Sequence, residues 1–121
     1  MTPAKHRKAT DHKIVSKSWG HEIWLVNNEK YCGKILSVNQ GCSCSFHQHD
    51  IKAETFFVQS GSIRLEVGKE ADPRKAEIIA LNTGDTYDME PNTWHRFTAI
   101  SGSATLYEFS TTQSDEDVTR L

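Results

Sequence analysis

Short apolar runs separated by turn-forming residues make up most of this chain. Residues 62–68, SIRLEVG, alternate apolar and polar side chains, and this period of two is typical of a strand with one buried face. Comparable runs occupy residues 21–26, 31–38, 42–49, 54–59, 76–81, 94–100 and 104–110. Asn, Gly and Ser stand between them, and no segment of ten residues has helical periodicity. The pattern predicts an all-β sandwich or barrel.

The predicted strands place one domain at residues 18–121, since 121 residues suffice for a single core. Residues 1–17 carry five Lys or Arg, one acid and few apolar side chains. Such a segment buries too little surface to order itself, and we predict a flexible arm, or alternatively an electrostatic arm for an anionic partner. In the tail, residues 111–121, Val118 and Leu121 are expected to dock on the barrel.

Charge and composition exclude several classes of protein. The formal net charge is -2 with mixed signs, so no basic field points to nucleic acid. No run approaches the roughly twenty apolar residues of a membrane span, and the N-terminus lacks the apolar region of a secretion signal. We therefore expect a cytoplasmic protein with no membrane partner. Its three cysteines are odd in number, which favours reduced thiols.

Candidate chemistry centres on two histidines in the predicted strand 42–49. His47 and His49 are two residues apart, so an extended strand points both to one face. Glu54 follows after a short segment that can turn back towards them, and His95 lies in a second turn-bounded segment. Imidazole and carboxylate groups bind divalent metals. The alternative is two surface histidines and a buried one elsewhere.

The spacing of these residues resembles the two motifs of the cupin superfamily. The first motif is represented by Gly41, His47, His49, Glu54 and Gly61, and the second by Gly84, Pro91 and His95, whereas Glu90, Asn92 and Ala99 depart from it. The resemblance implies a double-stranded β-helix, or jelly-roll barrel. It also implies that His47, His49, Glu54 and His95 hold one divalent ion, for which zinc, manganese, iron and nickel are all suitable.

A further stretch resembles the entry to the cupin domain of type II phosphomannose isomerases. It contains Trp19, Gly20, Glu22 and Lys34, with Ser18 in place of a usual Pro. This resemblance implies a small-molecule substrate, and we predict a sugar or sugar-phosphate isomerase similar to mannose-6-phosphate isomerase. A cupin dioxygenase and a non-catalytic carbohydrate-binding or regulatory cupin are the alternatives.

An aldose-ketose isomerase needs a group that moves a proton between two carbons. Glu54 and Lys34 are the candidates, because Lys34 is a charge within an otherwise apolar strand. The alternative is that Lys34 lies at a strand edge and extends its charged end into solvent. For a phosphate, Arg64 and Arg96 are the strand-borne cations, although alternation turns Arg96 away from His95.

Alternation also assigns supporting roles around the predicted metal site. Ser43 and Ser45 share the phase of His47 and are expected to support the pocket, while the cysteines pack. A homodimer is predicted through residues 21–26 as an edge strand, with Ile23 and Leu25 exposed.

Overall fold

The computed structural model describes residues 4–121, which form eleven strands in two antiparallel sheets. The strands are β1 (Lys13–Lys17), β2 (Gly20–Asn27), β3 (Cys32–Val38), β4 (His47–His49), β5 (Glu54–Ser60), β6 (Ser62–Gly68), β7 (Glu77–Asn82), β8 (Thr86–Met89), β9 (Trp94–Ala99), β10 (Ala104–Ser110) and β11 (Val118–Arg120). One sheet has the order β1-β2-β3-β10-β5-β8, and the other has the order β11-β4-β9-β6-β7. The predicted all-β jelly roll is confirmed.

The space between the sheets is apolar at one end and charged at the other. Along β3 the buried side chains change from Val38 and Leu36 to Lys34. On the neighbouring β10, Leu106 is the register partner of Leu36, and Glu108 is that of Lys34. Strands β5 and β9 also pass from buried apolar side chains to a buried glutamate and a buried histidine. The apolar end forms the core, which leaves the charged end to form a site.

Three strands were not predicted from the sequence. β8 pairs with β5, β11 pairs with β4, and β1 pairs with β2. β1 begins at Lys13 and therefore corrects the arm predicted at residues 1–17, because the β-branched Ile14 and Val15 adopt an extended backbone that bonds to β2. Residues 1–3 of that arm lie outside the described residues. Of the strand predicted at 42–49, only His47–His49 is regular.

The prediction that residues 21–26 form an edge strand is also wrong. β2 lies between β1 and β3, so its backbone hydrogen bonds are made within the chain and it offers no free edge. Ile23 and Leu25 are half-buried rather than exposed. The homodimer remains a prediction without this contact to support it.

The C-terminal segment is built into the second sheet through β11. Arg120 is the register partner of His47, and Val118 is that of His49. Val118 is half-buried, as expected, but the docking predicted for the Leu121 side chain is wrong because that side chain is 68% exposed. Leu121 is attached instead by its backbone N–H, which donates to the carbonyl of Phe46 at 3.1 Å.

The backbone conformation explains the residue type at two positions of the motifs, Gly20 and Asn92. Gly20 has φ 149°, and a Cβ at this position would lie 1.9 Å from the backbone oxygen of Ser37, so no side chain fits there. Asn92, which replaces a usual glycine, has φ 61°, in the left-handed region that Asn tolerates.

The helical segments are single 3-10 turns at Ala9–Asp11, Pro73–Lys75 and Asp115–Asp117. Over residues 4–121, no helix has the length and apolar character that a membrane crossing requires.

Candidate metal centre and interior cavity

Three histidines meet at the charged end of the interior. β4 carries His47 and His49, and β9 carries His95, which is the register partner of His47. One nitrogen from each ring lies within 4.8 Å of the others, so one ion can contact all three. His49 and His95 are 6% and 1% exposed, which contradicts the alternative of two surface histidines.

The ring nitrogens of two of these histidines are oriented by backbone carbonyls. Nδ1 of His47 donates to the Ser45 carbonyl at 2.7 Å, and Nδ1 of His95 donates to the Thr93 carbonyl at 2.9 Å. Because a carbonyl oxygen only accepts, Nδ1 must carry the hydrogen in both rings. Nε2 of each neutral ring therefore presents a lone pair, which is the form that binds a metal.

The fourth predicted ligand, Glu54, lies beside this triad at the start of β5. Its Oε2 is 3.3 Å from Nε2 of His95, and its Oε1 is 3.8 Å from Nε2 of His49. Among the described residues, neither Glu54 Oε2 nor His95 Nε2 has a hydrogen-bond partner, although both atoms are buried. Two facing lone pairs in a buried site need a cation or a proton between them. The donor set therefore fits a divalent metal.

The surroundings shift the pKa values of three of the four predicted ligands, His47, His49 and Glu54. Burial lowers the pKa of His47 to about 3, helped by the nearby His95. It also lowers the pKa of His49 to about 4, against the attraction of Glu54. For Glu54, burial alone would raise the pKa, but the contact with His95 and the ammonium of Lys52 outweigh it and hold that pKa below its ordinary value. Neutral imidazoles and an ionised carboxylate are the forms that coordinate metals.

A buried lysine that sequence reasoning missed stands next to the predicted metal ligands. Lys52 is 3% exposed, and its Nζ lies 3.0 Å from Glu54 Oε1 and 3.0 Å from Glu108 Oε2. Burial would lower the pKa of Lys52, but these two carboxylates outweigh it and raise that pKa above its ordinary value. Lys52 is therefore a fixed positive charge between two carboxylates.

Lys34, the predicted proton carrier, also lies inside the barrel. It is 4% exposed, which excludes the alternative position at a strand edge. Its Nζ is 3.5 Å from Glu22 Oε1 and 4.2 Å from the centre of the Trp24 ring. The Trp24 indole N–H donates to the same Glu22 oxygen at 2.8 Å, so the partner of Lys34 is itself held in place.

These groups line an interior cavity of about 270 Å³. Its charged wall contains Lys34, Lys52, Glu22, Glu54, Glu108 and the three histidines, its apolar wall contains Leu36, Cys44, Phe56 and Phe97, and its rim contains Lys17 and Arg120. All the predicted metal-ligating and catalytic residues thus lie on one cavity. The structure does not bring Arg64 or Arg96 to it.

One predicted supporting role needs correction, since Ser45 lines the cavity as expected but Ser43 does not. Ser43 bonds to Thr98 through its hydroxyl at 2.6 Å, away from the ligand atoms, while Cys44 reaches the cavity wall. Strand alternation failed here because residues 42–46 include only an isolated bridge. Cys44 is otherwise a packing residue as predicted, and burial raises the pKa of its thiol to about 12.

The two arginines lie away from the cavity for different reasons. Arg64 is exposed on β6. Arg96 pairs with Glu66 through two hydrogen bonds of 2.9 and 2.8 Å, and it faces away from His95 as alternation predicted. Neither arginine is in a position to contact a phosphate in the cavity.

A jelly-roll barrel with three histidines converging in its interior is characteristic of a class of small β proteins whose interior site is suited to a metal. The model of the Cupin domain family matches residues 34–109. The chain belongs to this family, as its two motifs predicted.

Relatives with curated names are sugar isomerases. A D-lyxose/D-mannose isomerase of Thermosediminibacter oceani is 34% identical over 111 residues, covering 75% of this chain and 61% of the relative. A D-lyxose ketol-isomerase of Thermofilum sp. is 33% identical over 120 residues, covering 82% of this chain and 67% of the relative. The chain thus spans about two thirds or less of the length of these relatives.

Solved structures share the fold at low sequence identity. The capsular polysaccharide assembling protein CapF of Staphylococcus aureus has a TM-score of 0.80 at 14% identity, covering 94% of this chain and 36% of CapF. KdgF from Halomonas sp. has a TM-score of 0.74 at 14% identity, covering 90% of this chain and 95% of KdgF. At such identities the likeness concerns the fold alone.

Proposed function

We propose that this chain is a metal-dependent aldose-ketose isomerase that acts on a free monosaccharide. The observation that carries the proposal is the combination, in one cavity of about 270 Å³, of an unsatisfied metal-ligand set and two buried lysines. The volume is slightly below the about 300 to 1,000 Å³ of sites for drug-sized ligands, which suits one sugar. The relatives named D-lyxose and D-mannose isomerases support the same reaction class.

In this proposal His47, His49, His95 and Glu54 hold one divalent ion. A metal in such a site supplies Lewis acidity towards a carbonyl and its neighbouring hydroxyl. The backbone carbonyls that accept from Nδ1 of His47 and His95 keep both rings turned towards the ion. The side chain of Glu54 faces two ways, since Oε1 contacts Lys52 and Oε2 faces His95.

Proton transfer between the two substrate carbons is assigned to Glu54 or Lys34. Lys34 lies on the cavity wall and is not among the proposed metal ligands. As a neutral amine it would take the proton from carbon, and as an ammonium it would donate a hydrogen bond to a substrate oxygen. Its neighbours Glu22 and Trp24 fix its Nζ without closing it off from the cavity. Lys34 and Glu54 are 4% and 5% exposed, and this burial strengthens their charge interactions.

The charge balance favours a neutral sugar over a sugar phosphate. Lys34 is paired with Glu22, and Lys52 is paired with Glu54 and Glu108. A phosphate inside the cavity would have to compete with these carboxylates. A phosphorylated sugar is the second candidate because Lys17 and Arg120 line the rim, where a phosphate could remain partly solvated.

The test compares substrates on protein loaded with zinc, manganese, iron or nickel. We expect isomerisation of D-lyxose or D-mannose to exceed that of mannose 6-phosphate. Faster isomerisation of mannose 6-phosphate, if Lys17→Met and Arg120→Met abolish that preference, would establish that the substrate is a phosphorylated sugar. Oxygen uptake with no isomerisation would indicate a dioxygenase, and sugar binding without turnover would indicate a binding protein.

The matched variants are Lys34→Met and Lys13→Met. Both lysines lie over the Trp24 ring, at 4.2 and 4.6 Å from its centre, but only Lys34 lines the cavity. Lys34→Met should reduce the rate about a hundred- to ten-thousand-fold without loss of metal. Lys13→Met should leave the rate unchanged. Equal activity of the two variants would remove Lys34 from the mechanism.

A further inference from the structure

Gln113 connects the C-terminal segment to the two buried lysines of the interior site. Its Oε1 lies 2.5 Å from Nζ of Lys52 and 3.2 Å from Nζ of Lys34. Because an ammonium group only donates, the amide oxygen and not the nitrogen must face both lysines. One neutral acceptor thus joins the two buried cations of the cavity.

Gln113 is held in this position from outside the cavity. Its backbone N–H donates to Oδ1 of Asn27 at 2.9 Å, and its carbonyl accepts from Nδ2 of Asn27 at 3.3 Å. The adjacent Thr112 hydroxyl donates to the carbonyl of Asn28 at 2.6 Å. These bonds fix the segment to the end of β2, so the Gln113 side chain enters the cavity from a fixed point.

The hydrogen-bonding capacity of the two lysines distinguishes their roles. An ammonium group has three N–H bonds. Those of Lys52 are matched by Glu54, Glu108 and Gln113. Among the described residues, the oxygen acceptors of Lys34 are Glu22 and Gln113. Lys52 therefore has three oxygen acceptors, whereas Lys34, which also lies over the Trp24 ring, has two and keeps one N–H bond without an oxygen acceptor.

We propose that Gln113 is a positioning residue of the interior site, which fixes Lys34 relative to Lys52 so that the remaining N–H of Lys34 points to the substrate. Both lysine contacts use Oε1, which leaves the NH₂ group of the same amide to donate to a sugar hydroxyl. Because the side chain of Gln113 is neutral, it adds no negative charge to that of Glu22, Glu54 and Glu108. The catalytic part of this inference rests on the proposed isomerase function.

The first measurement is independent of activity. Lysine side chains labelled with ¹⁵N give Nζ signals whose hydrogen exchange slows when the group is buried and bonded. Gln113→Met keeps the bulk of the side chain but removes the oxygen, and it should shift the signals of Lys34 and Lys52 and speed their exchange about tenfold or more. Gln113→Glu keeps an oxygen acceptor and should preserve slow exchange. Gln59→Met, at an exposed glutamine on β5, is the control.

The second measurement is steady-state kinetics on a free sugar. Gln113→Met should lower kcat about a hundredfold, as expected for a displaced catalytic group, while Gln113→Glu should retain more of it. If Gln113→Met does not fold, Asn27→Ala, which releases the Gln113 backbone, should speed exchange at the same two lysines.

The outcomes separate this inference from the proposed function. Unchanged lysine signals in folded Gln113→Met would overturn the inference even if the parent protein isomerises sugars. Altered signals with an unchanged kcat would also overturn it, because positioning would then have no consequence. Altered signals in a protein that isomerises no sugar would refute the proposed function and leave the lysine positioning supported.

Discussion

Replacing Lys52 by methionine should destabilise the protein strongly, although the two side chains have similar length. Lys52 is 3% exposed, and its Nζ lies 3.0 Å from both Glu54 and Glu108. Methionine would leave these two buried carboxylates without their shared cation. Removing one partner of a buried ion pair costs about 3 to 5 kcal/mol, and we expect a loss of this size in the free energy of unfolding.

The assay is urea denaturation of the metal-free protein, followed by tryptophan fluorescence. The matched control is Lys75→Met, because Lys75 also pairs with a glutamate, Glu70, at 3.2 Å, but at a site where the two side chains are 60% and 64% exposed. Water screens that pair, so the control should unfold at the same urea concentration as the parent.

A double variant tests the physical reason for the loss. Adding Glu108→Gln to Lys52→Met removes one of the two stranded charges and should restore part of the lost stability. A Lys52→Met variant within about 1 kcal/mol of the parent would refute the account of Lys52 as a buried counter-charge. Equal stability of the single and double variants would show that electrostatics is not the cause.

Other parts of the chain give three further predictions. Asp117→Ala removes the acceptor of three backbone N–H groups in the loop after β4, which lie at 2.9 to 3.0 Å. It should lower the free energy of unfolding, measured by urea denaturation, by about 1 to 3 kcal/mol. Asp115→Ala is the control, and an equal effect of both variants would contradict this role of Asp117. Gly20→Ala would place a Cβ 1.9 Å from a backbone oxygen of β3. It should lower the thermal unfolding midpoint by about ten degrees or more, which corresponds to a few kcal/mol. An unchanged midpoint would contradict the close approach of Gly20 to β3. Thiol titration with a chromogenic disulfide at pH 8 should detect one fast-reacting thiol, that of half-exposed Cys42. Cys32 and Cys44 should react slowly because they are buried and their thiol pKa values are raised. Three fast-reacting thiols would contradict the burial of Cys32 and Cys44.

Most of the proposed metal-ligand set could be predicted from the sequence because it depends on local spacing. His47 and His49 share one strand, and Glu54 follows after a short loop, so their proximity needs no knowledge of distant contacts. His95 required the family resemblance, because its pairing with His47 joins strands far apart in the chain. Strands such as β6 were predictable from alternation alone.

The rest of the cavity depends on long-range pairing. Glu108 could have been found from its own strand, since it carries a charge at the buried phase of β10, the signal that identified Lys34 in β3. Lys52 lies in a loop outside any periodic pattern. Gln113 reaches the cavity from a segment whose backbone Asn27 holds, and neither residue carries a local sequence signal. The missed strand β11 similarly forms because β4 offers it an edge.

The central claim is that a metal held by the histidine triad and Glu54 supports proton transfer on a free sugar. The most direct measurement is the reaction of metal-loaded protein with D-mannose in D₂O, with mass spectrometry of the ketose formed. Once its hydroxyl groups have been exchanged back in H₂O, the ketose should retain one carbon-bound deuterium taken from solvent, whereas the His49→Ala variant should form no ketose and should lose its stoichiometric metal. Absence of ketose with zinc, manganese, iron and nickel, or equal turnover by His49→Ala, would contradict the central claim.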